Sequence, residues 1–185
     1  MFTTMIDFKK IDYLERGNDR QRKVYKFLIE SEILEILKEY TPILTGTIPI
    51  CIDLPDSDLD IICECNDHDT FCNWLKLHFG KFEDFKLWTN SFYGVKASVA
   101  SFKSDSFKVE IFGQDITTVQ QNAYRHMIIE NEILLENDSD FKNEIIRLKT
   151  TGLKTEPAFA KLLGLNGDSY LELLKFDSNF VIREI

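Results

Sequence analysis

The segment Ser57-Asp58-Leu59-Asp60-Ile61-Ile62 constrains this chain more than any other. Its alternation is that of a β-strand, in which successive side chains point to opposite faces. Asp58 and Asp60 then share one face, and Leu59 and Ile61 the other. Two carboxylates roughly 7 Å apart along one strand face repel each other unless a cation lies between them. A hard divalent ion such as Mg²⁺ takes oxygen ligands of this kind and keeps positions open for substrate phosphates. Upstream, Ile43 and Leu44 read as an apolar strand end, followed by a turn at Gly46-Thr47. Pro49 and Pro55 then make a helix between the two strands unfavourable, because proline removes a donor and fixes φ. That connection is expected to be an irregular loop.

The surrounding chain is expected to be α+β. With 185 residues, 44% of them apolar, it is long enough for one domain with a real core. We expect an α/β core with an N-terminal helix over residues 1–116 and a helical region over 117–185 packed on it. Asp19 to Tyr40 has helical spacing, with Asp19 as N-cap. Strands are expected at 41–46 and 57–65, a helix at 67–79, and a strand around 85–88. Gly94 to Lys103 alternates and pairs with Phe107 to Phe112 through a Ser104-Asp105 turn. Four helices follow: 117–135; one capped by Asp138 or Ser139; one beginning at Thr155-Glu156-Pro157; and one after Gly167-Asp168-Ser169.

Charge and hydropathy narrow the partners. A formal net charge of −9 argues against broad, sequence-independent binding to nucleic acid, although a small basic pocket for one nucleotide remains compatible with it. No apolar run approaches the roughly 20 residues of a membrane span. Met1 to Lys10 does not read as a secretory signal, and the four cysteines are expected as thiols in a cytoplasmic protein.

A third carboxylate lies in Phe107-Lys108-Val109-Glu110-Ile111-Phe112-Gly113, where Glu110 stands between apolar neighbours. A carboxylate in such a strand is costly to bury unless it is paired, hydrogen-bonded or metal-bound. Beside Asp58 and Asp60 it would complete a three-carboxylate cradle for one or two Mg²⁺ ions and a triphosphate.

Gly46-Thr47, ten intervening residues, Asp58-Leu59-Asp60-Ile61 and then Val109-Glu110-Ile111 resemble, in order and spacing, the signature of the polymerase-beta-like nucleotidyltransferase superfamily. The likeness extends to an uncharacterised bacterial branch, a domain family of unknown function placed in that superfamily. It is carried by Gly17-Asn18-Asp19-Arg20-Gln21, Gly46-Thr47-Ile48-Pro49-Ile50, Glu110-Ile111-Phe112-Gly113-Gln114, Gln120-Gln121-Asn122-Ala123-Tyr124-Arg125-His126-Met127 and Gly152-Leu153-Lys154-Thr155-Glu156-Pro157. The resemblance implies a nucleotidyltransferase-like mixed sheet with flanking helices and a helical C-terminal third. It implies that Asp58, Asp60 and Glu110 bind Mg²⁺ (or Mn²⁺), with Glu110 assisting deprotonation of an acceptor hydroxyl. It also implies that the Gly46-Thr47 turn contacts phosphates through backbone N–H groups. In many superfamily members a helix starts at that turn and cradles phosphate; here the prolines replace much of it with loop.

Other residues carry two readings each. Arg20, Arg22, Lys23 and Lys26 form either a solvated helix end or a phosphate-binding edge. Asn122, Arg125 and His126 share a helix face, which is either a hydrated packing edge or a place where Arg125 meets phosphate and His126 meets substrate. Lys154 precedes a helix start as an ordinary solvated cap or beside a bound anion. Ser57 joins Gly46, Thr47, Arg20, Arg125, His126 and Lys154 in the expected nucleotide-contacting set. Cys63, Cys65, His68 and Cys72 invite a zinc reading, but strand phase sends Cys63 and Cys65 into the core, where thiols act as small hydrophobes. The expected function is Mg²⁺-dependent transfer of a nucleotidyl group from an NTP to a hydroxyl of a small molecule or protein. The alternatives are a catalytically silent nucleotide-binding or interaction module and a metal-dependent phosphohydrolase.

Overall fold

The computed structural model describes residues 6–92, 94–105 and 107–176. Residues 1–5 of the expected lead-in and 177–185 of the C-terminal region lie outside these. In chain order come α1 (Asp12–Glu15), α2 (Asp19–Glu30), α3 (Ile33–Ile36), a 3-10 turn (Lys38–Tyr40), β1 (Ile43–Thr45), β2 (Leu59–Glu64), α4 (His68–Phe79), β3 (Glu83–Phe92), β4 (Val95–Ser104) and β5 (Phe107–Gln114). A 3-10 turn (Thr118–Gln120) then leads into α5 (Asn122–Glu136), α6 (Ser139–Thr150), α7 (Thr155–Leu163) and α8 (Ser169–Leu174).

The five-stranded sheet has the order β1-β2-β5-β4-β3. β2 and β5 are parallel, and the other pairs are antiparallel. The chain leaves β2 through α4 and the β3–β4 hairpin before β5 returns beside it. One sheet face presents Leu44, Leu59, Ile61, Cys63, Ala100, Phe102, Val109 and Ile111 to Val24, Phe27 and Leu28 of α2 and to Phe71, Leu75 and Phe79 of α4. A fully buried side chain such as Phe71 contributes about 1.5–3 kcal/mol. Its ring needs Gly113, since a β-carbon there would run into Phe71. The C-terminal helices build a second cluster around Met127, Ile133, Ile145, Leu148 and Phe159, joined by Ile50 and Ile52 from the β1–β2 loop.

Two expected helices are interrupted. The helix read over 19–40 stops at Glu30, and Glu32 takes a left-handed φ of 53°. In a straight helix Ile33 and Leu37 would lie on roughly the opposite side from Val24 and Leu28. The break brings all four into one core. Its cap is Asn18 rather than Asp19: Asn18 Oδ1 accepts from the Gln21 backbone, and Gln21 Oε1 accepts from the Asn18 backbone. The helix read over 117–135 divides at Gln121, whose backbone is extended while its side chain reaches into the sheet. Asp138 and Asp168 cap α6 and α8, and Gly164 ends α7 with a left-handed φ of 68°, as expected. β3 is longer than its expected 85–88.

Candidate active site

Asp60 sits in β2 with Thr45 of β1 as its register partner on one side and Glu110 of β5 on the other. Parallel pairing at matched register puts Asp60 and Glu110 on the same face, opposite the core-facing Leu59, Ile61, Val109 and Ile111. Gly46 closes over this pair. Its φ is +82°, and a β-carbon there would stand 2.5 Å from Asp60 Oδ2, so both the backbone and the carboxylate require glycine.

Asp58 lies just ahead of β2 and is turned to Lys108, whose Nζ donates to Asp58 Oδ2 at 2.6 Å. Burial pushes the Asp60 carboxyl up to about 7, helped by Glu110 and Asp58 and opposed by Lys108 and Lys154. Burial also raises Glu110, with Lys108 pulling it down, Asp58 up, and Lys154 down. The three carboxylates and two ammonium groups thus act on one another. Among the described residues, no three His, Cys, Asp or Glu side chains are already gathered to hold a metal ion. Asp58, ion-paired with Lys108, acts on both of the other carboxylates through its charge. The donor set nevertheless suits a hard divalent cation: all three side chains offer oxygens, and Asp60 and Glu110 carry an electrostatic penalty that such a charge offsets.

The Pro-broken loop is packed and pinned. Ile48, Ile50 and Ile52 are buried. The Gln21 amide donates to the carbonyls of Ile48 and Pro49 at 3.0 Å each, and Lys149 Nζ donates to the Ile52 carbonyl. Arg20 donates to the Ser57 carbonyl at 3.2 Å, lies 3.9 Å from Asp53, and stacks over Phe107. Arg20 thus helps to hold the loop that delivers Asp58. Ser57 Oγ accepts from the Leu54 backbone, closing a turn inside the same loop. Gln21 was missed in sequence as a loop clamp. The signal available was its place three residues after Asn18, but its reach to residue 48 is a tertiary contact.

Between the carboxylate face and α5 and α7 lies a cleft of about 480 Å³. It is lined by Gly46, Thr47, Asp60 and Glu110, by the apolar Phe92, Val95 and Phe112, and by Gln121, Asn122, His126, Glu130, Thr155 and Glu156. His126 is therefore at the cleft. It is held there by Nε2 donating to the Tyr170 carbonyl at 2.9 Å and by Nδ1 lying 3.6 Å from Glu156. Arg125 is not among the residues lining the cleft, and neither is Lys154, an exposed residue that acts on Asp60 and Glu110 through its charge. Glu130 is buried with its carboxyl raised well above the ordinary range by burial and by Glu156, against the pull of Lys149.

Cys63 and Cys65 are both buried in the core, as strand phase predicts. Cys65 and Cys72 do not pair. Cys65 Sγ meets His68 Nδ1 at 3.4 Å, His68 Nδ1 meets Ser98 Oγ at 2.8 Å, and Cys72 Sγ donates to Ser98 Oγ at 3.3 Å. This is a hydrogen-bonded cluster centred on a buried serine.

A family model described as "Domain of unknown function (DUF4269)" matches residues 26–176. The chain belongs to this family. No curated protein matches it. Among solved structures, the GLD-2/RNP-8 complex is similar at a TM-score of 0.51 and 14% identity, over 89% of this chain and 62% of that one. Cid1 poly(U) polymerase bound to Mg 3′-dATP is similar at 0.51 and 13% identity, over 88% and 52%. A further Cid1 structure, described for its RNA terminal uridylyl transferase activity, gives 0.51 and 13% over 75% and 45%. This DUF4269 chain spans less than two thirds of each of them. At such identities the likeness is one of fold: a mixed α+β, nucleotidyltransferase-like architecture. Among the described residues no helix is long and apolar enough to cross a membrane.

Proposed function

We propose that this DUF4269 chain is a Mg²⁺-dependent nucleotidyltransferase acting on an NTP and an acceptor hydroxyl. The observation that carries this reading is the side-by-side placement of Asp60 and Glu110 beside Gly46, both lining a cleft large enough for a ligand. Asp58, Asp60 and Glu110 would hold Mg²⁺ or Mn²⁺. Such an ion, when bound, neutralises charge on the transferring phosphoryl group and leaving pyrophosphate. The acceptor oxygen attacks the α-phosphorus, the bond to pyrophosphate breaks, and Glu110 takes the hydroxyl proton. Gly46 and Thr47 border the phosphates, with Lys154 supplying positive charge from the rim. Lys108 neutralises Asp58 until substrate arrives.

Net charge favours a small-molecule or protein acceptor, whereas the similar Cid1 structures concern RNA uridylylation, so all three acceptor classes belong in the assay. The Lys108–Asp58 ion pair favours one second reading, a catalytically silent nucleotide-binding module. Calorimetry with Mg²⁺ and each NTP, followed by transfer of α-labelled nucleotide, separates the two. Metal-dependent NTP binding that Asp60→Asn abolishes, together with labelled product, supports the transferase. Binding without transfer supports the silent module, and release of phosphate or nucleoside monophosphate without acceptor supports a hydrolase. If no NTP binds in the presence of metal, the nucleotide reading falls.

A further inference from the structure

We propose that Lys149 is a positioning residue for the Gly46-Thr47 turn and, through that turn, for the Asp60 carboxylate. The inference rests on the transferase reading and gives the helical C-terminal region a part in that site.

Lys149 belongs to α6 and is only 7% exposed. Burying an ammonium is costly, and an apolar side chain of similar length would bury the same surface without that cost. What the ammonium adds is a hydrogen bond. Its Nζ donates to the carbonyl of Ile52, a fully buried residue of the β1–β2 loop. The Ile52 N–H in turn donates to the Thr47 carbonyl at 3.1 Å. Two hydrogen bonds therefore lead from α6 to Thr47, which lines the cleft with Gly46, Asp60 and Glu110. A β-carbon on Gly46 would stand 2.5 Å from Asp60 Oδ2, so a shift of this turn changes what the carboxylate packs against.

The backbone of the same stretch points the same way. Gln21 and Arg20 tie the loop to α2, at Ile48 and Pro49 on one side and at Asp53 and Ser57 on the other. Between those ties Cys51 takes a left-handed φ of 59°. A non-glycine residue keeps such a conformation only where its surroundings hold it, and the bond from Lys149 falls on the next residue. The charge of the ammonium is met by Glu130, Asp53 and Glu156. Glu130 and Glu156 line the cleft, and Asp53 lies in the loop. Lys149 thus acts on residues of the cleft wall and on the loop together.

The test compares the native full chain with Lys149→Met, Lys149→Gln and a control, Leu148→Ala, by amide hydrogen exchange and by Mn²⁺ calorimetry. Lys149→Met should speed exchange in peptides covering residues 47–54 by about tenfold or more, far beyond any change in β4. It should also weaken Mn²⁺ binding roughly three- to tenfold. Lys149→Gln keeps a donor and should fall between. Leu148→Ala loses a buried contact one residue away and should lower the melting temperature while leaving Mn²⁺ affinity unchanged. Native-like loop exchange in folded Lys149→Met would overturn the inference. So would exchange that rises equally throughout the chain, the mark of a merely structural residue, and so would two Lys149 variants that do not fold. Faster loop exchange with unchanged Mn²⁺ affinity would remove Lys149 from the site and leave it a loop anchor. A native chain that binds no Mn²⁺ removes the metal-dependent transferase reading, while exchange over residues 47–54 still decides whether Lys149 holds the turn.

Discussion

Replacing Asp60 by Asn should stabilise the fold at neutral and alkaline pH while abolishing any reaction at the site. Burial, Glu110 and Asp58 raise the Asp60 carboxyl from 3.8 to about 7. Between those values the folded protein keeps a proton that the unfolded chain has released. The stability linked to that proton is fully present below the unfolded value and is lost as pH rises through the folded one. At about 1.4 kcal/mol per unit, the full swing is about 4 kcal/mol, of which roughly 2–3 kcal/mol falls between about pH 5 and pH 8. Asn does not titrate and lacks the swing. Glu110 and Glu130 are also shifted upward, but they are common to both proteins and largely cancel in the difference. Urea unfolding across this range should therefore show the advantage of Asp60→Asn growing with pH. Millimolar Mg²⁺ at about pH 8 should stabilise the native protein and act much less on the variant. Parallel pH profiles would refute the argument that Asp60 bears a charge penalty, and equal responses to Mg²⁺ would remove it from the metal site.

Two further substitutions test how the site is held. Gly46→Ala forces a left-handed φ, costing about 1–2 kcal/mol, and adds a contact with Asp60 Oδ2. In an Asp60→Ala background only the backbone part remains, so unfolding measurements should give a coupling of about 1 kcal/mol, and simple additivity would sink the idea. Gln21→Ala removes the side-chain half of the capping box, the bond from the Asn18 backbone, and two buried hydrogen bonds to the β1–β2 loop. The expected loss is about 2–3 kcal/mol in thermal or urea unfolding, and a loss below about 0.5 kcal/mol would mean the loop holds itself.

Much of the site's framework was legible in the chain. Period-2 alternation set Asp60 opposite Leu59 and Ile61, and Glu110 opposite Val109 and Ile111, because strand geometry leaves no other choice; the shared face of the two carboxylates comes from the parallel register of β2 and β5. Asp138, Asp168 and Gly164 marked helix ends through local hydrogen bonding and backbone preference. Arg20 was less readable: a basic residue on an exposed-looking helix turn has no local signal that it will meet Ser57, Asp53 and Phe107. Glu32 and Gln121 break their helices for reasons that arise elsewhere, in the core that Ile33 joins and the carbonyls that Gln121 meets.

By itself, then, the sequence determined that Asp60 and Glu110 each point away from their strand's apolar face and where a Gly-based turn must precede Asp60, since both follow from dihedrals and side-chain periodicity. Only the tertiary structure decided that Asp58 faces Lys108, that Asp60 lies directly under Gly46, and that Gln121 and Glu130 reach one cleft. Those are distances between residues far apart in the chain. Charge and hydrogen-bond energies depend on such distances and on burial, neither of which a local pattern encodes.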